Sequence, residues 1–274
     1  MDIRSTIRLN NGVEIPRLAL GVFQVEDERT ADCVRWALEA GYRHIDTAAV
    51  YGNERGVGRG MRDSGVKRED IFLTTKLWND DMRKDRALEA FEESLEKLGT
   101  DYVDLYLVHW PVEGFERSWP IMEELYREGR IRAIGVSNFH RHHMEKLLKI
   151  AKVVPAVNQI ELHPFLTQKP LVEYCRSLGV EIEAWRPLGG SDGGLREAPA
   201  IAEIAKKHGR TEAQVLIRWS LQSGIIVLPK SARRERIVDN ARVFDFELSP
   251  EDMAAIDALN RGLHTGPDPD TFDF

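Results

Sequence analysis

An acid, a phenol, an amine and an imidazole stand near the ends of three successive strand-like runs. They are Asp46 and Tyr51 in GYRHIDTAAVYGNE, Lys76 in IFLTTKLWN, and His109 in VDLYLVHWP. Each follows a short apolar run, where a closed parallel barrel exposes side chains at its C-terminal mouth. A buried ammonium beside a phenol favours the phenolate and draws the phenol's pKa down from about 10. The carboxylate keeps the lysine charged, and the imidazole can orient a carbonyl oxygen. Such a group can protonate a carbonyl while hydride arrives from another source. Taken singly, each residue has a plainer reading: a turn with a helix-capping Asp, a solvated strand-end lysine, a packing histidine. Four catalytic residue types after strands two, three and four weaken those readings jointly.

The elements that must position these groups alternate along almost the whole chain. IRLNNGVEIP reads as a hairpin around Asn-Gly. Strand-plus-helix units follow, beginning with LALGVF and ERTADCVRWALEAG and ending with IIVLPKS and RERIVDNARVF. Eight such units favour an α/β fold of the (β/α)8 TIM-barrel type over an open doubly wound sheet. A further helix, SPEDMAAIDALN, and an irregular Pro/Gly/Asp-rich tail close the chain. We expect one domain over residues 1–274.

Hydrophobic residues make up 42% and charged residues 30% of the 274, as in an ordinary soluble protein. A net charge of −7 argues against general affinity for nucleic acid or anionic lipid, so an anionic ligand needs a local basic cluster. MDIRSTIRLNNG has no apolar signal core, and no run reaches the length of a membrane span. A cytoplasmic monomer acting on a small molecule is expected. Cys33 and Cys175 lie far apart in helical patterns and read as reduced, packed thiols.

GYRHIDTAAVYGNERGVG, LVHWP, GVSNF, VNQIELHP and LPKSARRERIVDN, in order over essentially the entire chain, resemble the aldo-keto reductase family. Within it the chain is most similar to the bacterial 2,5-diketo-D-gluconate reductase-like branch. The resemblance implies NADPH as cofactor and reduction of aldehydes, α-dicarbonyls and keto sugars. It implies Tyr51 as proton donor, Lys76 as the amine that tunes it, Asp46 as the lysine's partner and His109 as the carbonyl orienter. Ser137, Asn138 and Gln159 match the groups that hold a nicotinamide carboxamide, with strand-end capping as the plainer alternative. Gly21, Val22 and Phe23 match the first loop of the cofactor site, and Leu188 is grouped with them. Trp185 stands where most relatives place a tyrosine under the nicotinamide. Phe23, Val50, Trp78, His109 and Trp110 match the substrate pocket, although barrel core remains an alternative for the aromatics.

The run after the eighth strand supplies Lys230, Ser231, Arg233 and Arg236. Cations at a helix N-terminus suit a phosphate, and a solvated basic surface is the plainer reading. The resemblance puts Lys230, Ser231 and Arg236 around an adenosine 2′-phosphate, with Arg233 as an added cation and Asn240 near adenine. Arg186 can face a pyrophosphate or solvent. His140, His142 and His143 hint at a metal, yet no carboxylate or Cys pattern in the sequence completes a site, and none is expected. GVGRG is not a dinucleotide fingerprint and reads as part of a barrel helix. Two other functions fit parts of the pattern: a Schiff-base lyase using Lys76, and a non-catalytic nicotinamide-binding regulatory subunit.

Overall fold

A computed structural model describes residues 1–190 and 193–274. The chain opens with the antiparallel hairpin β1 (Thr6–Arg8) and β2 (Glu14–Pro16), turning at Asn11-Gly12. Eight parallel strands pair in sequential order: β3 (Leu20–Gly21), β4 (His44–Asp46), β5 (Phe72–Leu77), β6 (Val103–Val108), β7 (Ile131–Ser137), β8 (Val157–Glu161), β9 (Glu181–Trp185) and β10 (Ile226–Val227). The last strand meets the first. Leu18 bridges Val227 and Gly21 bridges Lys230, and the Ala19 N–H donates to the Val227 carbonyl at 3.0 Å. The sheet is thereby closed into the expected (β/α)8 barrel.

Around it run α1 (Asp27–Glu39), α2 (Glu54–Asp63), α3 (Asn79–Arg83), α4 (Ala87–Leu98), α5 (Phe115–Arg127), α6 (Arg141–Leu148), α7 (Lys169–Ser177), α8 (Pro199–His208), α9 (Glu212–Gln222), α10 (Arg234–Ala241) and α11 (Pro250–Asp257). The GVGRG glycines lie in α2 because its neighbours approach closely. A Cβ at Gly56 would sit 2.1 Å from the Asp27 carbonyl oxygen, and one at Gly58 2.2 Å from that of Leu98. Cys33 and Cys175 are free and buried in helices, as expected.

The strand period of two decides what faces the barrel axis. Near the hairpin the filling is apolar: Phe72, Leu105, Leu107, Ala133, Val157 and Ile226 pack with Leu9 and Ile15, which plug that end. Two to four residues further along the same strands, the same parity delivers Lys76 from β5, His109 just past β6, and Gln159 from β8. The apolar layer therefore supports a polar layer at the opposite, C-terminal mouth. Among the described residues no helix is long and apolar enough to cross a membrane.

Candidate active site

Lys76 is fully buried and holds the centre of the polar layer. Its ammonium donates to Asp46 Oδ1 at 2.7 Å, to the Thr47 carbonyl at 2.8 Å, and to the Tyr51 hydroxyl at 3.5 Å. Three acceptors match its three protons. Tyr51 sits on a 3₁₀ turn, Ala49–Tyr51, which brings the phenol back over the strand end. The His109 ring lies edge-on to Tyr51 with centroids 5.7 Å apart. The four residues singled out by type therefore converge. Thr47 was missed because it contributes only a main-chain carbonyl.

The electrostatics differ from the sequence expectation at one point. Burial raises the Tyr51 pKa and outweighs the lowering by Lys76, while the Asp46 charge adds to the rise. The phenol is thus a fully protonated acid at neutral pH, not one drawn below its ordinary range. Burial works to lower Lys76, but Asp46 and Tyr51 more than offset this and keep the ammonium charged. Burial, reinforced by Lys76, drives His109 well below its usual value, so its ring is neutral. The His109 Nδ1 is buried without a partner. An N–H sealed there would lack an acceptor, so the proton belongs on Nε2.

A second buried layer was not anticipated. The Gln159 Nε2 donates to Asp46 Oδ2 at 2.9 Å and to Glu183 Oε2 at 2.8 Å, joining two carboxylates. Burial, then the Asp46 charge, pushes Glu183 up to about 8. His44 lies 3.8 Å from Glu183, yet burial brings its pKa down to about 3, so both groups are neutral near pH 7 and form no ion pair. The folded Glu183 binds its proton more tightly than an unfolded glutamate does at 4.5, so stability falls as pH rises from there to about 8. Glu183→Gln removes this titration and keeps an acceptor for Gln159. Its stability relative to wild type is expected to be higher at about pH 8 than at about pH 5. Urea unfolding at both pH values checks this, and a pH-independent difference would place no proton on Glu183.

The remaining candidates divide by setting. Ser137 donates to the Gln159 carbonyl, and the Asn138 amide donates to the His109 carbonyl and to Ser137 Oγ. These donors are spent inside the protein, which leaves mainly acceptor capacity. Trp185 is held twice: its Nε1 donates to Asn138 Oδ1 at 2.8 Å, and its far edge meets Gly266, where a Cβ would lie 2.4 Å from the ring. The Val22 side chain is wholly in the core, so only its backbone is available, whereas Gly21 bridges to Lys230. Leu188 is half-buried against the core. Lys230, Arg233 and Arg236 are exposed around the start of α10 without ion-pair partners among the described residues, while Arg234 pairs with Glu39. Ser231 and Asn240 beside them are buried.

An aromatic wall borders the four converging residues. Phe23 is 46% and Val50 43% exposed, and Phe23 packs on Tyr51 with centroids at 4.9 Å. Trp78 and Trp110 flank His109, and Phe272 from the tail stacks on Trp110 at 3.9 Å. Trp78 thus belongs to the mouth as well as packing on the core. The tail is tied across this mouth. Glu161 accepts from the Thr265 and Gly266 N–H groups, and Asn79 and Arg83 of the unanticipated α3 bind the last two residues. Arg186 is not simply turned to solvent, because its guanidinium donates to the Thr265 carbonyl. Asp270 packs against His140, His142 and His143. The sequence reading found no carboxylate for that cluster, and the fold supplies one from the far end of the chain.

Comparison with known proteins places the whole chain in one family. A sequence profile of the Aldo/keto reductase family matches residues 17–261. The chain is 51% identical over 271 residues to the glyoxal reductase of Bacillus subtilis (strain 168), covering 98% of each. It superposes on MGS-M4, an aldo-keto reductase from a Medee basin deep-sea metagenome library, with a TM-score of 0.95 at 45% identity, covering 98% of this chain and 100% of that one. The Bombyx mori aldo-keto reductase, solved in complex with NADP, gives a TM-score of 0.90 at 38% identity, covering 97% of this chain and 95% of that one. The chain belongs to the aldo/keto reductase family. It is an oxidoreductase built on a (β/α)8 barrel.

Proposed function

We propose that this protein reduces small aldehydes and α-dicarbonyls, and keto sugars such as diketogluconate, to alcohols with NADPH, with Tyr51 as the proton donor. The observation that carries the reading is the Asp46–Lys76–Tyr51 chain beside a neutral His109 in the barrel mouth. Likeness to a glyoxal reductase puts α-dicarbonyls first among the substrates. A Schiff-base role for Lys76 is disfavoured, since its ammonium stays charged and fully engaged.

When bound, the nicotinamide supplies hydride to the carbonyl carbon. Tyr51 gives its proton to the carbonyl oxygen, and the adjacent ammonium of Lys76 stabilises the phenolate that remains. Asp46 holds that ammonium in place. The Nε2–H of His109 donates to the same oxygen and fixes the carbonyl's orientation. The free acceptor of Gln159, its Oε1, and the second lone pair of Asn138 Oδ1 suit a carboxamide NH₂ beside Ser137. Trp185 offers a fixed face for stacking. Gly21, Val22, Phe23 and Leu188 would line the cofactor's path toward Asn240.

Lys230, Arg233 and Arg236, around the start of α10 and without ion-pair partners among the described residues, support phosphate binding over a merely solvated surface in a protein of net charge −7. NADPH differs from NADH by the 2′-phosphate, and a charge-assisted bond to it contributes roughly 1.5–3 kcal/mol, about one to two decades of affinity. Arg236→Ala is therefore expected to weaken NADPH by that factor and NADH little. Dissociation constants of both cofactors check it. Equal losses would show that Arg236 does not read the 2′-phosphate.

A further inference from the structure

Outside the catalytic mouth, three imidazoles and one carboxylate meet where the C-terminal tail crosses the start of α6. His142 Nε2 lies 3.0 Å and His143 Nε2 3.5 Å from Asp270 Oδ1, and His140 Nδ1 lies 3.2 Å from Asp270 Oδ2. Ligand atoms from all four residues fall within 4.8 Å of one another. The His142 and His143 rings approach to 3.9 Å between centroids. A tetrahedral zinc with bonds of about 2.0–2.1 Å spaces its ligand atoms by about 3.3–3.4 Å, close to the three histidine–aspartate separations, and the remaining pairs lie within 4.8 Å.

We infer that His140, His142, His143 and Asp270 form a binding site for a divalent transition metal, of which Zn²⁺ is the type, that clamps the tail across the barrel mouth. The donor set of imidazoles and one carboxylate suits zinc, copper or nickel and disfavours calcium or magnesium. The ligating ring nitrogens must carry no proton toward Asp270, and His143 needs a further adjustment. His143 Nδ1 accepts the His140 N–H at 3.2 Å, so Nε2 carries the proton of the neutral ring. Binding through Nε2 moves that proton to Nδ1 and gives up this capping bond. The partial positive charge at the start of α6 also opposes a cation, but this is a weak effect beside four coordinate bonds.

The consequence follows from what the same tail does on either side. Two residues beyond Asp270, Phe272 stacks on Trp110, and before it Thr265 and Gly266 are tied to Glu161 beside Trp185. A metal in the middle fixes both contacts at once and holds the mouth narrowed. The site does not depend on the catalytic reading and is tested without turnover. Untagged, metal-free protein is titrated with Zn²⁺ by calorimetry as wild type, His142→Gln and Asp270→Asn, with hydrogen exchange of residues 264–274 followed in parallel. His142 is 62% exposed on its side chain, so its replacement leaves the fold intact. The expected result is one Zn²⁺ per wild-type chain, affinity lower by at least about tenfold in each variant, and tail exchange slowed by Zn²⁺ only in the wild type. No saturable binding, or equal binding in the variants, would overturn the site. Binding that leaves tail exchange unchanged would overturn the clamp.

Discussion

Lys76→Met is expected to abolish nearly all turnover and to destabilise the fold by about 3–5 kcal/mol, the cost of stranding a buried charge. Lys76 is fully buried and pairs with Asp46 at 2.7 Å, and Asp46 is itself only 4% exposed. Removing the ammonium leaves the carboxylate with Gln159 as its remaining donor. It also removes the cation that stabilises the Tyr51 phenolate. The two effects are separable. Adding Asp46→Asn to Lys76→Met removes the stranded charge, so the double variant is expected to recover much of the lost stability and none of the activity. Chemical unfolding and steady-state reduction measured on both variants check this. A double variant that regains activity, or a single variant that keeps wild-type rate, would break the coupling between fold and chemistry described here.

Tyr51→Phe is expected to behave in the opposite way, with activity lost and stability kept. The hydroxyl makes one long contact, 3.5 Å to Lys76, which retains Asp46 and the Thr47 carbonyl without it. The ring keeps its packing on Phe23 and His109. Reduction should fall by roughly 10²–10⁴-fold, the usual contribution of a positioned acid, while NADPH binding stays near the wild-type value. Because burial raises the phenol's pKa and holds His109 neutral, the wild-type rate should show no step from either group between about pH 7 and 9. A decline centred in that window and absent from Tyr51→Phe would instead indicate a phenol with a depressed pKa.

The convergence of Asp46, Tyr51, Lys76 and His109 was legible because strand parity and residue type are local. His109 continues the inward register of Leu105 and Leu107, and Lys76 that of Phe72 and Thr74. What depends on depth was not legible. The direction of the Tyr51 shift is set by how much water the barrel excludes, which no local pattern reports. Glu183 sits in EIEAW, where an acid in an alternating strand reads as surface-facing. In a closed barrel the polar face is the inside of the mouth, and Glu183 is fully buried. Helix α5 begins at Phe115, five residues before its internal Pro120, because a left-handed Gly114 packs on the Met82 carbonyl of α3, a contact that no local signal reports. The partnership of Asp270 with the histidines, and of Asp273 and Phe274 with α3, joins residues far apart in the chain. A tail rich in Pro, Gly and Asp carries no periodicity from which that docking can be read.

The most direct test of the account is consumption of NADPH by the wild-type protein with glyoxal as the carbonyl, with NADH in parallel and product analysis for the alcohol. The account predicts that glyoxal is reduced with loss of one NADPH per carbonyl, faster than with NADH at equal subsaturating cofactor. Protein that binds NADPH tightly but consumes none of it with glyoxal or any other aldehyde, dicarbonyl or keto sugar would contradict the assignment of Tyr51, Lys76, Asp46 and His109 as a carbonyl-reducing site.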